Sequence, residues 1–359
     1  MTRWDFPSIS GEYRLGTLES HFDQEMYYSR QRIMAEIGPI GQKRLRDSAL
    51  TVVGLGGLGS VSSLYLTLAG VGKITLVDQD TVELTNLHRQ ALYSIRDIRH
   101  PKVEVAADRL HSLNPEVKIE AVPENINEEN VDSVLDKSDC IVDGLDNMQT
   151  RYLLNRHCVG RQIPFVFGGA IGMEGNVAVF KTPETPCLEC VLPGIDDENL
   201  PTCDTRGVIG ATTGIIGSLQ ALETIKLLAN AKQKLQSKLM IFDFAESEFK
   251  TIELYVRPDC PVCQLKRAPQ AVEKRITWLC GSSTVNVNPV KSTSVDLSAA
   301  RLALQVSNEI LLATPSVLVL NYKGYEVSIF KRGRMLIKNA SAEAEALRVY
   351  QEIEKTIRG

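Results

Sequence analysis

Ser48-Ala-Leu-Thr-Val-Val-Gly-Leu-Gly-Gly-Leu-Gly-Ser60 decides the fold. Leu50 to Val53 are apolar and partly β-branched, as a strand buried on both faces requires. Gly54, Gly56 and Gly59 follow in G-x-G-x-x-G spacing, with Gly57 between them. Without Cβ atoms in the way, backbone N–H groups of such a turn reach phosphate oxygens. A helix predicted over about residues 60–69 points its positive end at the same spot, and Gly70 is its left-handed stop. The stretch predicts a nucleotide-binding α/β domain; a turn that merely packs helix on strand is the alternative.

The sequence on either side narrows the ligand. Lys73 to Asp78 reads as a second parallel strand ending in an acid about 20 residues past the glycines, the position that binds a ribose. The segment after it carries Asp80 together with Asn86, Arg89 and Gln90, and the last three supply cationic and amide donors suited to phosphate oxygens. Pro101 is read as the first residue of the next helix, which puts Lys102 at a helix N-terminus. A cation there opposes the helix dipole unless an anion lies between them. A further strand, Ser138 to Asp143, runs into Gly144-Leu-Asp146-Asn147. Asp146 is either a ligand for a phosphate-bound magnesium or the cap of the helix that follows. Arg30, in Tyr28-Ser-Arg-Gln31, reads on its own as a surface charge.

Of the eight cysteines, four form two Cys-x-x-Cys pairs, Cys187/Cys190 and Cys260/Cys263, the spacing of a closed four-thiolate zinc site. Cys140 and Cys158 fall on apolar positions and read as core. Cys203 lies in a Pro-, Asp- and Asn-rich crossing loop ahead of a long helix predicted over about residues 208–230, where its thiolate is favoured.

The chain of 359 residues has room for one large α/β domain and a small one. The expected division is an N-terminal arm over 1–23, a nucleotide-binding domain with the knuckles over 24–265, and a small α+β domain over 270–359. In the last, two short strands precede a helix, a three-stranded meander and a final helix. The overall class is a Rossmann-like mixed sheet with helices on both faces. No apolar run reaches about 18 residues and the first twenty lack signal-peptide order, so a cytoplasmic protein without a membrane partner is expected. The net charge of −4 argues against nucleic acid as a partner, although residues from Ala271 onward carry 12 Lys/Arg against 8 Asp/Glu. Lys331-Arg-Gly-Arg334 in that basic part reads as a solvated hairpin tip or a docking patch for an acidic partner.

Tyr28-Ser-Arg-Gln31, Val53 to Gly59, Asp78-Gln-Asp80, Asn86-Leu-His-Arg-Gln90, Pro101-Lys-Val-Glu104, Leu145-Asp-Asn147, Met173-Glu-Gly175 and the two knuckles together resemble the superfamily of ubiquitin-activating enzymes, and within it the ThiF/MoeB adenylyltransferases. The resemblance covers about residues 28–264. It implies ATP-dependent adenylylation of the C-terminal glycine of a ubiquitin-like or sulfur-carrier protein ending in Gly-Gly. It further implies that Asp78 binds the ATP ribose, that Asn86, Arg89 and Lys102 bind phosphates, that Asp146 holds magnesium, and that Arg30 reaches into the other subunit's site in a homodimer. Cys203 matches a cysteine that in some relatives bonds covalently to the carrier and in others is dispensable. Cys280 sits in too short a stretch to build the rhodanese domain of sulfur-transferring relatives. The competing reading is an NAD-dependent oxidoreductase built on the same glycine turn.

Overall fold

The structure, a computed structural model, describes residues 22–197, 200, 203–232, 235–266, 275–279, 284–290 and 294–358. Cys280 and nearly all of the expected N-terminal arm lie outside these residues. Three short helices, α1 (Gln24–Tyr27), α2 (Ser29–Arg32) and α3 (Gly38–Asp47), lead into β1 (Ala49–Val53). Helices and strands then alternate through α4 (Gly57–Leu68), β2 (Lys73–Val77), α5 (Lys102–Leu113), β3 (Lys118–Val122), α6 (Val131–Leu135), β4 (Cys140–Asp143), α7 (Met148–Arg161) and β5 (Phe165–Ile171). After β6 (Glu174–Phe180) come the short α8 (Leu188–Val191) and α9 (Cys203–Arg206), the long α10 (Gly210–Leu228), and the hairpin β7 (Lys238–Asp243) and β8 (Glu248–Glu253).

The eight strands form one mixed sheet in the order β3-β2-β1-β4-β5-β6-β7-β8. Pairing is parallel from β3 to β5 and antiparallel from β6 onward. The change of direction follows from chain length. Only Gly172 and Met173 separate β5 from β6, and a two-residue connection allows only a hairpin. Gly168 and Gly175 lie inside these strands. They are small because α10 packs there: a Cβ on Gly168 would meet Gln220 at 2.5 Å, and one on Gly175 would meet Ile216 at 2.4 Å.

The chain leaves β1 toward β2 and β3 on one side and returns as β4 on the other, so the switch point of the sheet lies at the carboxyl ends of β1 and β4. Two backbone segments meet there with no room for side chains. Gly54 has a φ of +87°, and a Cβ on it would lie 2.6 Å from the Gly144 carbonyl oxygen. A Cβ on Gly59 would lie 1.8 Å from the Gly54 carbonyl oxygen. Helix α4 therefore starts at Gly57, earlier than the predicted Ser60, because the glycine turn is itself its first turn.

From residue 276 onward a second sheet forms. Its elements are β9 (Ile276–Leu279), β10 (Thr284–Val287), α11 (Leu297–Leu304), β11 (Glu309–Ala313), β12 (Val317–Tyr322), β13 (Tyr325–Phe330), β14 (Met335–Lys338) and α12 (Glu343–Arg358). The six antiparallel strands run β11-β12-β13-β14-β10-β9. The meander expected from sequence is its centre, and β10 and β9 extend one side of it. Strand β11 has no counterpart in the sequence reading, because Glu309-Ile-Leu-Leu-Ala313 lacks the alternation of a one-sided strand. Leu304, Val349, Tyr350 and Ile353 of α11 and α12 pack with Val285, Leu318, Val327 and Ile337 of the sheet in one core.

Two glycine-to-alanine changes separate packing from propensity. Gly59→Ala should cost more than about 3 kcal/mol in denaturant unfolding, since backbone rather than a side-chain tip blocks the new methyl. Gly160→Ala, exposed near the end of α7 with nothing within 4 Å of its Cβ, should gain about 0.5–1 kcal/mol.

Candidate active site

A cavity of about 610 Å³ lies at the switch point. Gly54, Gly56 and Gly57 line it from the glycine turn, and Asp78 and Asp80 from the end of β2. Asn86, Arg89 and Gln90 line it from the segment between β2 and α5, Lys102 from the first residue of α5, and Asp146 from the loop after β4. Glu174, Gly175 and Asn176 of β6 form another wall. The polar residues that the sequence placed at separate strand ends thus share one space.

Asp78 is tied to the glycine turn. Its carboxylate accepts the Leu55 N–H at 2.6 Å and the Asp80 N–H at 2.7 Å. Burial pushes this carboxyl up, with Lys102 and the two N–H groups pulling against it. Lys102 is buried, and its Nζ lies 2.9 Å from Asp80. Burial alone would lower the amine, but the Asp80 and Asp78 carboxylates outweigh it and hold Lys102 above its ordinary value. Asp80 therefore compensates a cation set against a helix dipole. The helix begins at Lys102 itself, with Pro101 as its cap rather than its first residue.

Several acceptors in this space lack donors: Gln79 Oε1, Asp80 Oδ1, Gln90 Oε1 and Asn176 Oδ1 are buried without a hydrogen-bond partner. A Cβ on Gly56 would meet nothing closer than 3.8 Å, so any side chain there would fill the cavity. Unpaired polar atoms around a bare glycine backbone fit a polar ligand. Arg89 reaches the Thr85 carbonyl and His88 Nε2, both at 2.9 Å. Asp146 does not cap α7; Asn147 does, accepting the Thr150 N–H at 2.9 Å. That leaves the Asp146 carboxylate toward the cavity.

Behind this layer lies a buried set that the sequence did not reveal. Arg151 of α7 pairs with Asp143 at 2.8 Å and donates to the carbonyls of Leu145 at 2.6 Å and Gly168 at 2.8 Å. Gln220 of α10 donates to the Asp143 carbonyl at 2.6 Å. Burial pushes the Asp143 carboxyl up and Arg151 pulls it back. These contacts fix the β4 loop that carries Asp146. An arginine inside a helix pattern gives no sign of facing inward. Two residues of the second sheet, Thr284 and Leu336, also line the cavity and had no signal in the sequence.

Arg30 is not in its own chain's cavity. Tyr28 is buried beneath Gly70 and accepts a hydrogen bond from Asn114 at 2.7 Å, while Gln31 donates to the Ala69 carbonyl at 2.9 Å. With both neighbours anchored, Arg30 stands exposed on α2. Cys203 begins the four-residue α9, and α10 starts seven residues later, so a short helix lies between the start of this segment and the long helix. Arg206 of α9 pairs with Glu174 of the cavity wall, which holds α9 beside the site. Cys140 and Cys158 are buried core thiols, as expected, and burial pushes Cys140 up to about 12.

The two knuckles meet. Cys187 and Cys260 lie 3.6 Å apart, Cys190 and Cys263 3.4 Å, and Cys187 and Cys190 3.9 Å, measured between sulfurs. All four sulfurs lie within 4.8 Å of one another.

A mixed sheet whose parallel half carries a glycine turn and converging cations at its switch point has the architecture of a nucleotide-binding α/β protein. Residues 28–262 match the ThiF family, and the chain belongs to that family. It is 40% identical over 262 residues to "Adenylyltransferase and sulfurtransferase MOCS3" of Culex quinquefasciatus, a match covering 70% of this chain and 60% of that protein. It is 40% identical over 242 residues to "Sulfur carrier protein adenylyltransferase" of Thermus thermophilus, covering 66% and 89%. To "Molybdopterin-synthase adenylyltransferase" of Escherichia coli it is 41% identical over 243 residues, covering 67% and 97%. The match thus spans about 60% of the length of the MOCS3 relatives. Among solved structures, E. coli MccB with MccA-N7isoASN superposes with a TM-score of 0.59 at 25% identity, over 67% of this chain and 75% of that one.

Arg151→Met leaves Asp143 buried without its partner and should lower unfolding free energy by about 3–5 kcal/mol in chemical denaturation. A loss under about 1 kcal/mol would show that the pair does not hold the β4 loop.

Proposed function

We propose that the protein adenylylates the C-terminal glycine carboxylate of a ubiquitin-like or sulfur-carrier protein. The convergence of Arg89, Lys102 and Asp146 on one glycine-lined cavity carries this reading. The names of the relatives, all adenylyltransferases or activating enzymes, support it, and none supports the oxidoreductase alternative.

In the reaction, a carboxylate oxygen of the carrier bonds to the α-phosphorus of ATP. The bond from that phosphorus to the bridging oxygen breaks, and pyrophosphate leaves with its electron pair. The nucleophile is already an anion, so no general base is needed. What the site must supply is alignment and stabilisation of growing negative charge. Gly54, Gly56, Gly57 and Gly59 admit the phosphates to the backbone N–H groups of the turn, and Asp78 accepts from the ribose hydroxyls. Asn86, Arg89, Gln90 and Lys102 hold phosphate oxygens, with Asp80 keeping Lys102 in place. Magnesium, held by Asp146, would neutralise phosphate charge. Edge strand β8 exposes Phe249 and Ile252, and Tyr255 just beyond its end is exposed too, which gives a folded carrier an apolar surface beside the cavity.

Arg30 completes the site of a second copy in a homodimer. Its exposure between two anchored neighbours supports this, as does an apolar stripe of Ala211, Ile215 and Leu222 along α10. Cys203 acts, where a covalent step exists, after adenylate formation. The four knuckle sulfurs fit zinc: a tetrahedron with Zn–S of about 2.3 Å has edges of about 3.8 Å, close to the separations given above. With four thiolates and no open position such a site is structural. A cytoplasmic location is part of the proposal; no helix among the described residues is long and apolar enough to cross a membrane.

Labelled pyrophosphate should exchange into ATP only in the presence of a small carrier ending in Gly-Gly. Asp146→Ala and Arg89→Ala should each abolish exchange, and Cys203→Ala should leave it within about twofold; no exchange with any such carrier overturns the proposal. Lys102, held above its ordinary value, keeps its charge at every pH below that value. On the alkaline side, its partnership with Asp80 should therefore persist until strong alkali. Exchange should accordingly show no basic limb from Lys102 between about pH 6 and 9. Removal of zinc by chelation should lower Tm by several degrees, and an unchanged melt after verified metal loss would refute its structural role.

A further inference from the structure

The second sheet lies against the nucleotide-binding half through specific contacts. Arg334, buried beside β14, donates from Nη2 to the Gln79 carbonyl at 2.6 Å and to the Pro123 carbonyl at 3.4 Å. Its Nη1 reaches Asn286 Oδ1 at 3.4 Å, and its guanidinium lies 3.8 Å over the Phe330 ring. Burial brings Arg334 down to about 10 while Asp80, Asp78 and Glu124 oppose the fall, so it is charged at neutral pH. Outside it, Lys338 pairs with Glu83 and Glu326 at 3.0 Å each, and Arg99 pairs with Glu326 at 2.9 Å. Glu83 and Arg99 bracket the segment that carries Asn86, Arg89 and Gln90. The basic hairpin tip read from the sequence thus docks on its own chain, where Arg332 also pairs with Glu124 at 2.8 Å.

What this docking brings to the cavity is Thr284. The residue opens β10 and is 1% exposed, yet its Oγ1 has no hydrogen-bond partner and the residue lines the cavity. A buried hydroxyl without a partner is unfavourable, and a polar ligand in the cavity that this residue lines would supply the missing partner. The side from which it approaches identifies the part of the ligand. Gln79 follows Asp78 at the end of β2 and Pro123 follows β3, so the wall held by Arg334 stands on the β2–β3 side, beyond the ribose acid. On the ATP reading, the phosphates belong at the glycine turn after β1.

We propose that the second sheet completes the nucleotide pocket, with Thr284 Oγ1 as a hydrogen-bond partner of the nucleoside half of ATP and Arg334 as the residue that positions that wall. This rests on the ATP reading above. It makes the region beyond the ThiF match part of the substrate site rather than an appendage.

The test is titration calorimetry of full-length protein with MgATP and, separately, with inorganic tripolyphosphate. Thr284→Val keeps the side-chain shape and removes the hydroxyl. It should raise the Kd for MgATP about three- to tenfold, leave tripolyphosphate binding unchanged, and leave Tm equal or higher because an unpaired buried polar atom is gone. Arg334→Met should weaken MgATP in the same sense, and Arg334→Lys, which keeps a charged donor for the carbonyls, should restore most of it. Unchanged MgATP affinity in Thr284→Val, or equal losses for both ligands, overturns this inference while leaving the ATP reading intact. Absence of rescue by lysine overturns the positioning role of Arg334. Wild-type protein that fails to bind MgATP overturns the ATP reading and this inference with it.

Discussion

The close backbone approach at Gly54, Gly59 and Gly144 is the constraint on which the rest depends. A carbonyl oxygen of Gly54 stands where the Cβ of Gly59 would be, and the Gly144 backbone fills the space beside Gly54. This contact brings the start of α4 and the loop after β4 onto the end of β1. Everything that faces the cavity is measured from that junction. Asp78 is hydrogen-bonded to the turn itself, and Asp146 lies two residues past Gly144. The buried Asp143–Arg151 pair and Gln220 hold the same loop from behind, so the floor of the site is set by packing that no ligand touches.

Charge is arranged around this floor with a bias toward a bound anion. Lys102 sits at the positive end of α5, an unfavourable place relieved by Asp80. Unpaired acceptors at Gln79, Gln90 and Asn176 remain buried. A protein selected only for stability would not keep such groups together, since each costs about 1–3 kcal/mol without a partner. Their concentration in one cavity is a reason to read it as a site even before any relative is considered. The second sheet continues the same logic through Thr284, and its ion pairs grip the polar segment between β2 and α5 from outside.

How much was legible in the sequence depends on how local the signal is. The glycine turn, the strand-end acid Asp78 and the paired knuckles are fixed by spacing within a few residues, and all were readable. Arg151 and Asp143 were not, because an arginine on a helix and an acid at a strand end look the same whether they face each other or solvent. The glycines of β5 and β6 carry a related ambiguity. Glycine marks either a turn or a close approach, and only the position of α10 decides between them. Strand β11 was missed because it lacks the alternation by which a strand buried on one face is recognised.

The sequence by itself determined the class of fold, the phosphate-facing turn and the residue types available to a triphosphate, since these follow from local periodicity and short motifs. Tertiary structure alone decided that Arg30 faces away from its own cavity, that Asn147 rather than Asp146 caps α7, and that the basic tip at Lys331–Arg334 meets its own chain. It also decided that Thr284 reaches a cavity begun more than two hundred residues earlier. The physical reason is common to all four. Direction, burial and partner are properties of packed surfaces, and residues distant in the chain become neighbours only once the sheets have formed.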